Sequence, residues 1–128
     1  MVVTGAGGQV GALLAREATL RGFDVRALTH ADLDITDENA VRQQVGNGDF
    51  VVNCAAFTNV DGAESDPEGA YLLNVVGPRN LAQACADVDA RLVHLSTDYV
   101  FDGKFEGGLP RPYEIDDATA PLGEYARS

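Results

Sequence analysis

A chain of 128 residues, of which 45% are hydrophobic, is long enough to bury one core and fits a single domain. The chain has nine Lys and Arg and 20 Asp and Glu, which gives a formal net charge of −11. Because the basic residues are scattered along the chain, the sequence predicts binding neither to nucleic acid nor to an anionic membrane surface. No apolar stretch reaches transmembrane length and no signal-peptide pattern opens the chain, which favours a cytoplasmic location.

The two cysteines lie in apolar runs. Cys54 stands in Val51–Ala56 and Cys85 in Leu81–Ala86. Residues in such runs are typically buried in one core, so we expect free thiols rather than a disulfide or a metal site.

The first eleven residues combine a β-branched run, a glycine-rich bend and the start of a helix. Gly5, Gly8 and Gly11 have the spacing G-x-x-G-x-x-G. Tight turns in unrelated folds show this spacing too, but the flanking strand and helix favour a phosphate cradle. In such a cradle the first glycine bends the chain at positive φ, the second exposes backbone to a pyrophosphate, and the third lets the helix pack closely. The other residues predicted to touch the cofactor here are Gly7, Gln9 and Val10.

The next elements complete a strand-helix-strand unit. The predicted helix runs from Gly8 to Arg21, with Gly22 as its C-terminal cap and one buried face, and residues 24–28 form a second, parallel strand. The residues assigned to the buried face are Val10, Leu13, Leu14, Ala18 and Leu20.

The carboxyl end of the second strand bears on the choice of cofactor. An acid at this end usually binds the adenosine ribose and selects NAD, but the chain reads Leu28-Thr29-His30, and Asp24 lies at the opposite end of the strand. The missing acid leaves room for a 2′-phosphate, with Arg26, Thr29 or His30 as contacts. The sequence therefore favours NADPH over NADH.

A second helix and a buried strand follow. Thr36 is the predicted N-cap of a helix over 37–45, and Asp34 with Ile35 lies either against the adenine or simply in a loop with a core Ile. The apolar run 49–53 predicts a central parallel strand. After it, Asn53, Ala55 and Ala56 are expected to leave bare backbone beside the cofactor.

The second half of the chain repeats the pattern. Residues 57–67 are predicted to be a polar connection, and a helix from Pro67 is predicted to kink at Pro78. Asn74, polar among apolar neighbours, is expected to make buried hydrogen bonds. The run 91–96 predicts a buried strand in which His94 is an internal, hydrogen-bonded residue.

Residues 97–101 leave the carboxyl end of that strand, where open α/β sheets place their chemistry. A loop over 102–120, taken as a substrate loop, leads to a helix that begins near Tyr125. The sequence thus predicts an α/β fold, a doubly wound parallel sheet of about four strands with the glycine loop at its carboxyl edge.

Four motifs together resemble the extended short-chain dehydrogenase/reductase superfamily: the glycine loop, Asn53-Cys54-Ala55-Ala56, Ser96-Thr97, and Tyr125 opening a helix. More narrowly, the runs 55–64, 96–103 and 121–125 look like those of the dTDP-4-dehydrorhamnose reductases. The resemblance covers essentially the whole chain. It implies reduction of a 4-keto nucleotide sugar, dTDP-4-dehydro-6-deoxy-L-mannose, to dTDP-L-rhamnose, with hydride from NADPH or NADH.

The resemblance also implies roles for residues. Tyr125 is the general acid and Thr97 orients the keto oxygen. A Lys four residues after the Tyr lowers the pKa of the phenol in this family. Further cofactor contacts are implied at Thr58, Asn74 and Ser96. The substrate contacts implied are Thr97, Asp98, Tyr99, Val100, Phe101 and Tyr125.

The resemblance bears on domain organisation as well. The family carries a carboxy-terminal part with most of the nucleotide-sugar site, so residues 1–128 are expected to be the NAD(P)-binding Rossmann domain of a truncated chain that is inactive alone. A homodimer of the parent is left open. Two rivals remain: a nucleotide-sugar dehydratase, although Tyr99 replaces its second acid, and a non-catalytic subunit that resembles the regulatory subunit of methionine adenosyltransferase.

Overall fold

The computed structural model describes residues 1–105 and 110–128; residues 106–109 of the predicted substrate loop lie outside the described residues. Four parallel strands form one sheet in the order β2-β1-β3-β4. Their bounds are β1 Val2–Thr4, β2 Arg26–Leu28, β3 Phe50–Asn53 and β4 Arg91–His94. The predicted fold class is confirmed: this is a Rossmann-like parallel sheet.

Helices connect these strands on both faces. They are α1 Gln9–Leu20, α2 Glu38–Gln44, α3 Val60–Ser65, α4 Pro67–Tyr71, α5 Gly77–Asp87 and α6 Glu124–Arg127. The chain moves from β1 outward to β2 and then back across β1 to β3. Because each crossover is right-handed, α1 lies on one face of the sheet while α2 and α5 lie on the other.

The larger core lies under α2 and α5. Val2 and Val51, paired across β1 and β3, pack against Leu33 and Ile35 before α2 and against Leu81 of α5. The N-cap of α2 is Asp37, whose carboxylate accepts the amides of residues 39 and 40. The predicted cap was Thr36, which was wrong by one position because the Thr36 hydroxyl binds Asp34 instead.

Helix α1 buries a stripe of small residues rather than large ones. Gly11, Ala15 and Ala18 are buried, at spacings of four and three residues. Val10, Leu13 and Leu20, predicted to be buried, are 57%, 60% and 69% exposed. At the start of the helix the reason is steric, because a methyl group on Gly11 would collide with the Gly5 carbonyl.

The chain between β3 and β4 is more helical than its composition suggests. The predicted polar connection contains α3, which Asn59 caps, and Asp66 caps α4 in the same way, each through the amide three residues on. The α-helical pattern is interrupted where the kink was predicted: residues Leu72–Val76 form a wider π-helical turn just before Pro78. Pro78 has no N–H to offer the carbonyl four residues back, so the regular ladder is interrupted there.

Strand β4 is shorter and more exposed than predicted. It ends at His94 instead of Ser96, and Val93 and Leu95 are exposed because β4 is an edge strand within the described residues. The prediction of free thiols is confirmed: Cys85 is buried, Cys54 is half-buried, and burial raises the pKa of both. No helix in the described ranges is long and apolar enough to cross a membrane.

Replacing Gly11 with Ala should destabilise the protein. A methyl group at this position would collide with the carbonyl oxygen of Gly5, a backbone atom that cannot rotate away. Alanine gains about 0.5–1 kcal/mol of helix propensity, but overpacking costs about 1–3 kcal/mol, so we expect a net loss of up to about 2.5 kcal/mol. Urea unfolding of the full-length protein measures this.

Gly7→Ala is the matched control, because a methyl group there would meet its nearest neighbour, Thr29, at an ordinary 3.9 Å. The free energy of unfolding should then change by no more than about 0.5 kcal/mol. Equal losses in the two variants would show that the close approach of α1 to the glycine loop is not what requires Gly11.

Candidate functional site

Three polar residues end the central strands in register. Thr4, Asn53 and His94 are partners across β1, β3 and β4. The Thr4 hydroxyl donates to Asn53 Oδ1 at 2.5 Å, the Ala55 amide donates to the same oxygen at 3.1 Å, and Asn53 Nδ2 lies 3.0 Å from His94 Nδ1. These bonds join the three strands at their carboxyl ends and fix the chain that follows β3.

This hydrogen-bond network also determines the protonation state of His94. Because Asn53 Oδ1 already accepts two hydrogen bonds, its Nδ2 donates to His94, which must accept through an unprotonated Nδ1. Partial desolvation of the ring on its Asn53 side also lowers the pKa of His94, which favours the neutral imidazole. His94 was predicted to be internal; it is hydrogen-bonded, but exposed, because β4 lies at the sheet edge.

The glycine loop takes the shape that its spacing predicts. Gly5 has φ of +64°, and a methyl group on it would lie 2.5 Å from the Ala55 amide nitrogen. The Gly8 amide donates to the Gly5 carbonyl at 3.0 Å, and the first bond of α1 runs from Ala12 to the Gly8 carbonyl. The amides of residues 9–11 therefore have no partner within the helix and are available to an anion.

Two clefts meet at the carboxyl edge of the sheet. One, of about 240 Å³, lies between the glycine loop and residues 30–35; the other, of about 250 Å³, lies between the end of β4 and α6. Both are lined by Cys54, Ala55 and Ala56, so the two clefts adjoin along this segment, and together they are called the groove below. The bare backbone predicted at these positions is the floor of that groove.

The first cleft contains many of the predicted cofactor contacts. Of the predicted residues, Gly5, Gly7, Gly8 and Ile35 line it together with Ala55 and Ala56. Asp34 does not line it: one carboxylate oxygen accepts both the amide and the hydroxyl of Thr36, which lowers the Asp34 pKa. Gln9 lines neither cleft.

The second cleft is lined by most of the other predicted site residues. Its predicted residues are Val10, Asn53, Thr58, Asn74, Ser96, Thr97, Val100 and Tyr125. Asp98, Tyr99 and Phe101 do not line it. Tyr99 packs edge-on against Tyr125 with 5.6 Å between ring centroids, and Phe101 stacks on Tyr113 at 4.0 Å.

Asn74 has the buried hydrogen-bonding task predicted for it. Its Oδ1 accepts the Phe57 amide at 2.8 Å, and its Nδ2 donates to the Phe57 carbonyl at 3.1 Å and to the Ser128 hydroxyl at 2.9 Å. It stands in the π-helical turn. Asn74 therefore ties the floor of the groove to the end of α6.

Two supporting residues were missed by sequence reasoning. Asn80, buried in α5, donates to the carbonyls of Ile35 and Thr36, both at 3.1 Å. Glu64 of α3 accepts the Glu124 amide at 2.9 Å and so holds the start of α6 beside Tyr125. A polar residue on the apolar face of α5 signalled Asn80, while nothing in the local sequence distinguished Glu64 from a solvated acid.

Comparisons with known proteins agree with this architecture. A sequence model described as the RmlD substrate binding domain matches residues 1–128. The chain is 57% identical over 128 residues to a dTDP-4-dehydrorhamnose reductase of Mycobacterium tuberculosis, and 56% identical over 130 residues to one of Mycolicibacterium smegmatis. It covers 42% and 38% of those relatives, so the chain spans about two fifths of their length.

A solved structure matches closely as well. The crystal structure of a dTDP-4-dehydrorhamnose reductase from Bacillus anthracis in complex with NADP superposes with a TM-score of 0.90 at 38% identity, over 98% of this chain and 45% of that one. Since the family match covers every residue of the chain and the fold likeness nearly every one, the chain belongs to the RmlD substrate binding domain family.

Proposed function

We propose that residues 1–128 form the NAD(P)H-binding domain of a cytoplasmic reductase. Its reaction is reduction of the 4-keto group of dTDP-4-dehydro-6-deoxy-L-mannose to give dTDP-L-rhamnose. The observation that carries the proposal is the groove, whose two adjoining clefts lie at the glycine loop and at Thr97 and Tyr125. The names of the relatives from two mycobacteria support the substrate.

The groove suits a dinucleotide in one orientation. A pyrophosphate fits the free amides at the start of α1, which leaves the adenosine toward Ile35 and the nicotinamide toward Thr97. NADPH or NADH, when bound, supplies a hydride to the keto carbon. The NADP complex of the relative from Bacillus anthracis supports this class of cofactor.

The residues at the far end of the groove supply the proton that the reduction needs. As the carbonyl carbon is reduced, its oxygen becomes an alkoxide that must gain a proton. The Tyr125 hydroxyl gives that proton, and the Thr97 hydroxyl donates a hydrogen bond that stabilises the developing charge. The half-buried Tyr125 is steadied by Tyr99 on one side and by the Glu64 bond at the start of α6.

The arrangement favours reduction over loss of water. Elimination needs a second carboxylate after Asp98 to remove a proton from carbon, and the chain has Tyr99 there. That ring packs against Tyr125 and offers no base. A dehydratase is therefore the weaker alternative.

Replacing Tyr125 with Phe removes the proton donor while keeping the ring. In the full-length protein we expect kcat to fall by roughly 10²- to 10⁴-fold with little change in KM, because the lost hydroxyl acts mainly in the transition state. Steady-state kinetics with the keto sugar measures this. Tyr71→Phe, an exposed ring on α4, is the control and should leave kcat unchanged; near-normal turnover by Tyr125→Phe would exclude the mechanism.

Thr97→Val should cause similar but smaller damage, a loss in kcat of roughly 10-fold to 10²-fold. Because both hydroxyls serve the same alkoxide, the Thr97→Val and Tyr125→Phe losses should fall short of additivity in the double variant. A double-mutant cycle on kcat measures the difference. Fully additive losses would mean that the two residues act on separate steps.

A further inference from the structure

The hydrogen-bond network at the strand ends contains one group that can gain a proton. Its members are the Thr4 hydroxyl, the Asn53 side chain, the Ala55 amide and the His94 imidazole, and only the imidazole is a base near neutral pH. His94 lies opposite Asn53 in the register of β3 and β4, and it is exposed, so water reaches its ring. Since Nδ1 accepts from Asn53 Nδ2 at 3.0 Å, the neutral ring carries its proton on Nε2.

Protonation of His94 removes the acceptor that Asn53 requires. Both nitrogens of an imidazolium carry hydrogen, so the Nδ1–H would face Asn53 Nδ2, which is also a donor. Asn53 cannot turn its amide over without loss, because its Oδ1 would leave the Ala55 amide, a group that can only donate. Asn53 is 1% exposed, so solvent has little access to a group left unpaired. A charged His94 is therefore incompatible with the three hydrogen bonds of Asn53.

The arrangement of Asn53 reaches the groove through Ala55. The Ala55 amide nitrogen lies 2.5 Å from where a methyl group on Gly5 would stand, and Ala55 lines both clefts. A shift of Ala55 therefore changes the space at the glycine loop. His94 itself lines the second cleft, whereas Gly5 and Gly8, where a pyrophosphate fits, line the first. An exposed charge at His94 is screened from that phosphate site by solvent, so the broken network decides the effect of protonation.

The titratable groups around His94 leave it as the one that changes charge at mildly acid pH. No charged side chain among the described residues contributes to its pKa, which partial desolvation lowers. The buried face of α5, which packs on β4, carries only the Cys85 thiol, and Arg91 lies at the other end of β4. The second cleft adds the Cys54 thiol and the Tyr125 phenol. Thiols and phenols ordinarily carry no charge at acid pH.

Resting on the proposed function, which supplies the nucleotide site, we infer that His94 is a positioning residue for the nucleotide: its neutral ring holds Asn53 and, through Asn53, the backbone of Ala55 beside the glycine loop. Protonation of His94 releases that backbone and weakens nucleotide binding, although the ring itself does not contact the nucleotide. The pKa of His94 lies below the ordinary 6.5. Binding is therefore at full strength at neutral pH and falls as the pH drops below that value.

Binding of NADP⁺ to the full-length protein at pH 8 and pH 5, measured by calorimetry, tests this inference. His94→Asn is the matched variant, because its Oδ1 can accept from Asn53 near the position of Nδ1 and does not titrate. On acidification the wild-type Kd should rise at least about threefold more than the Kd of His94→Asn, as expected for one hydrogen bond of the network. Titration of the nucleotide phosphate and of His30 affects both proteins alike and cancels in this comparison.

His94→Leu removes the acceptor at every pH. It should bind NADP⁺ at least about threefold more weakly than the wild type at pH 8 and then share the pH dependence of His94→Asn. In the wild type, affinity should begin to fall at the pH where the imidazole ¹⁵N resonances of His94 begin to shift, a correspondence that a purely structural role does not require.

Three results would overturn the inference and leave the proposed function standing. They are equal pH dependence in the wild type and His94→Asn, wild-type affinity at pH 8 in His94→Leu, and a loss of affinity that does not follow the His94 resonances. If NADP⁺ does not bind the wild type at either pH, the proposed function fails, and the inference fails with it. Thermal unfolding at both pH values confirms that folded proteins are being compared.

Discussion

The side chain of Asn53 is the point on which the site depends. It is 1% exposed, and within the sheet it accepts from Thr4, donates to His94 and also accepts from the Ala55 amide. A buried amide left without these partners would cost about 1–3 kcal/mol for each lost bond. The same three bonds that join β1, β3 and β4 at their carboxyl ends therefore also fix the backbone that forms the floor of the groove.

The glycine loop follows from that fixed floor. Once the Ala55 amide is held by Asn53, the backbone of Gly5 passes so close to it that no side chain fits. The Gly5 carbonyl in turn accepts a hydrogen bond from the Gly8 amide and lies so close to Gly11 that no side chain fits there. These two contacts fix the start of α1. The free amides that suit a pyrophosphate thus have their position because of a hydrogen-bond network one strand away.

The sequence was sufficient for the features that depend on local pattern and chain order. Alternating buried strands and helices predicted the parallel sheet, the glycine spacing predicted the loop, and Pro78 predicted the interrupted helix. Features that depend on which elements pack together were not predicted: α1 buries Gly11, Ala15 and Ala18 rather than its larger residues, and His94 is exposed because β4 lies at an edge.

The interrupted helix couples the two ends of the groove. Asn80, in α5, holds Ile35 at the first cleft, while Asn74, in the π-helical turn, holds Phe57 and Ser128 on the side of Tyr125. Between them Gly77 packs so closely on Ile35 that a methyl group would collide with its side chain. Asn74 and Asn80 stand on either side of Pro78, so one short segment of the chain supplies hydrogen bonds to both walls. The wide turn before Pro78 therefore anchors the wall beside Tyr125, and the first turn of α5 directly after it anchors the wall beside Ile35.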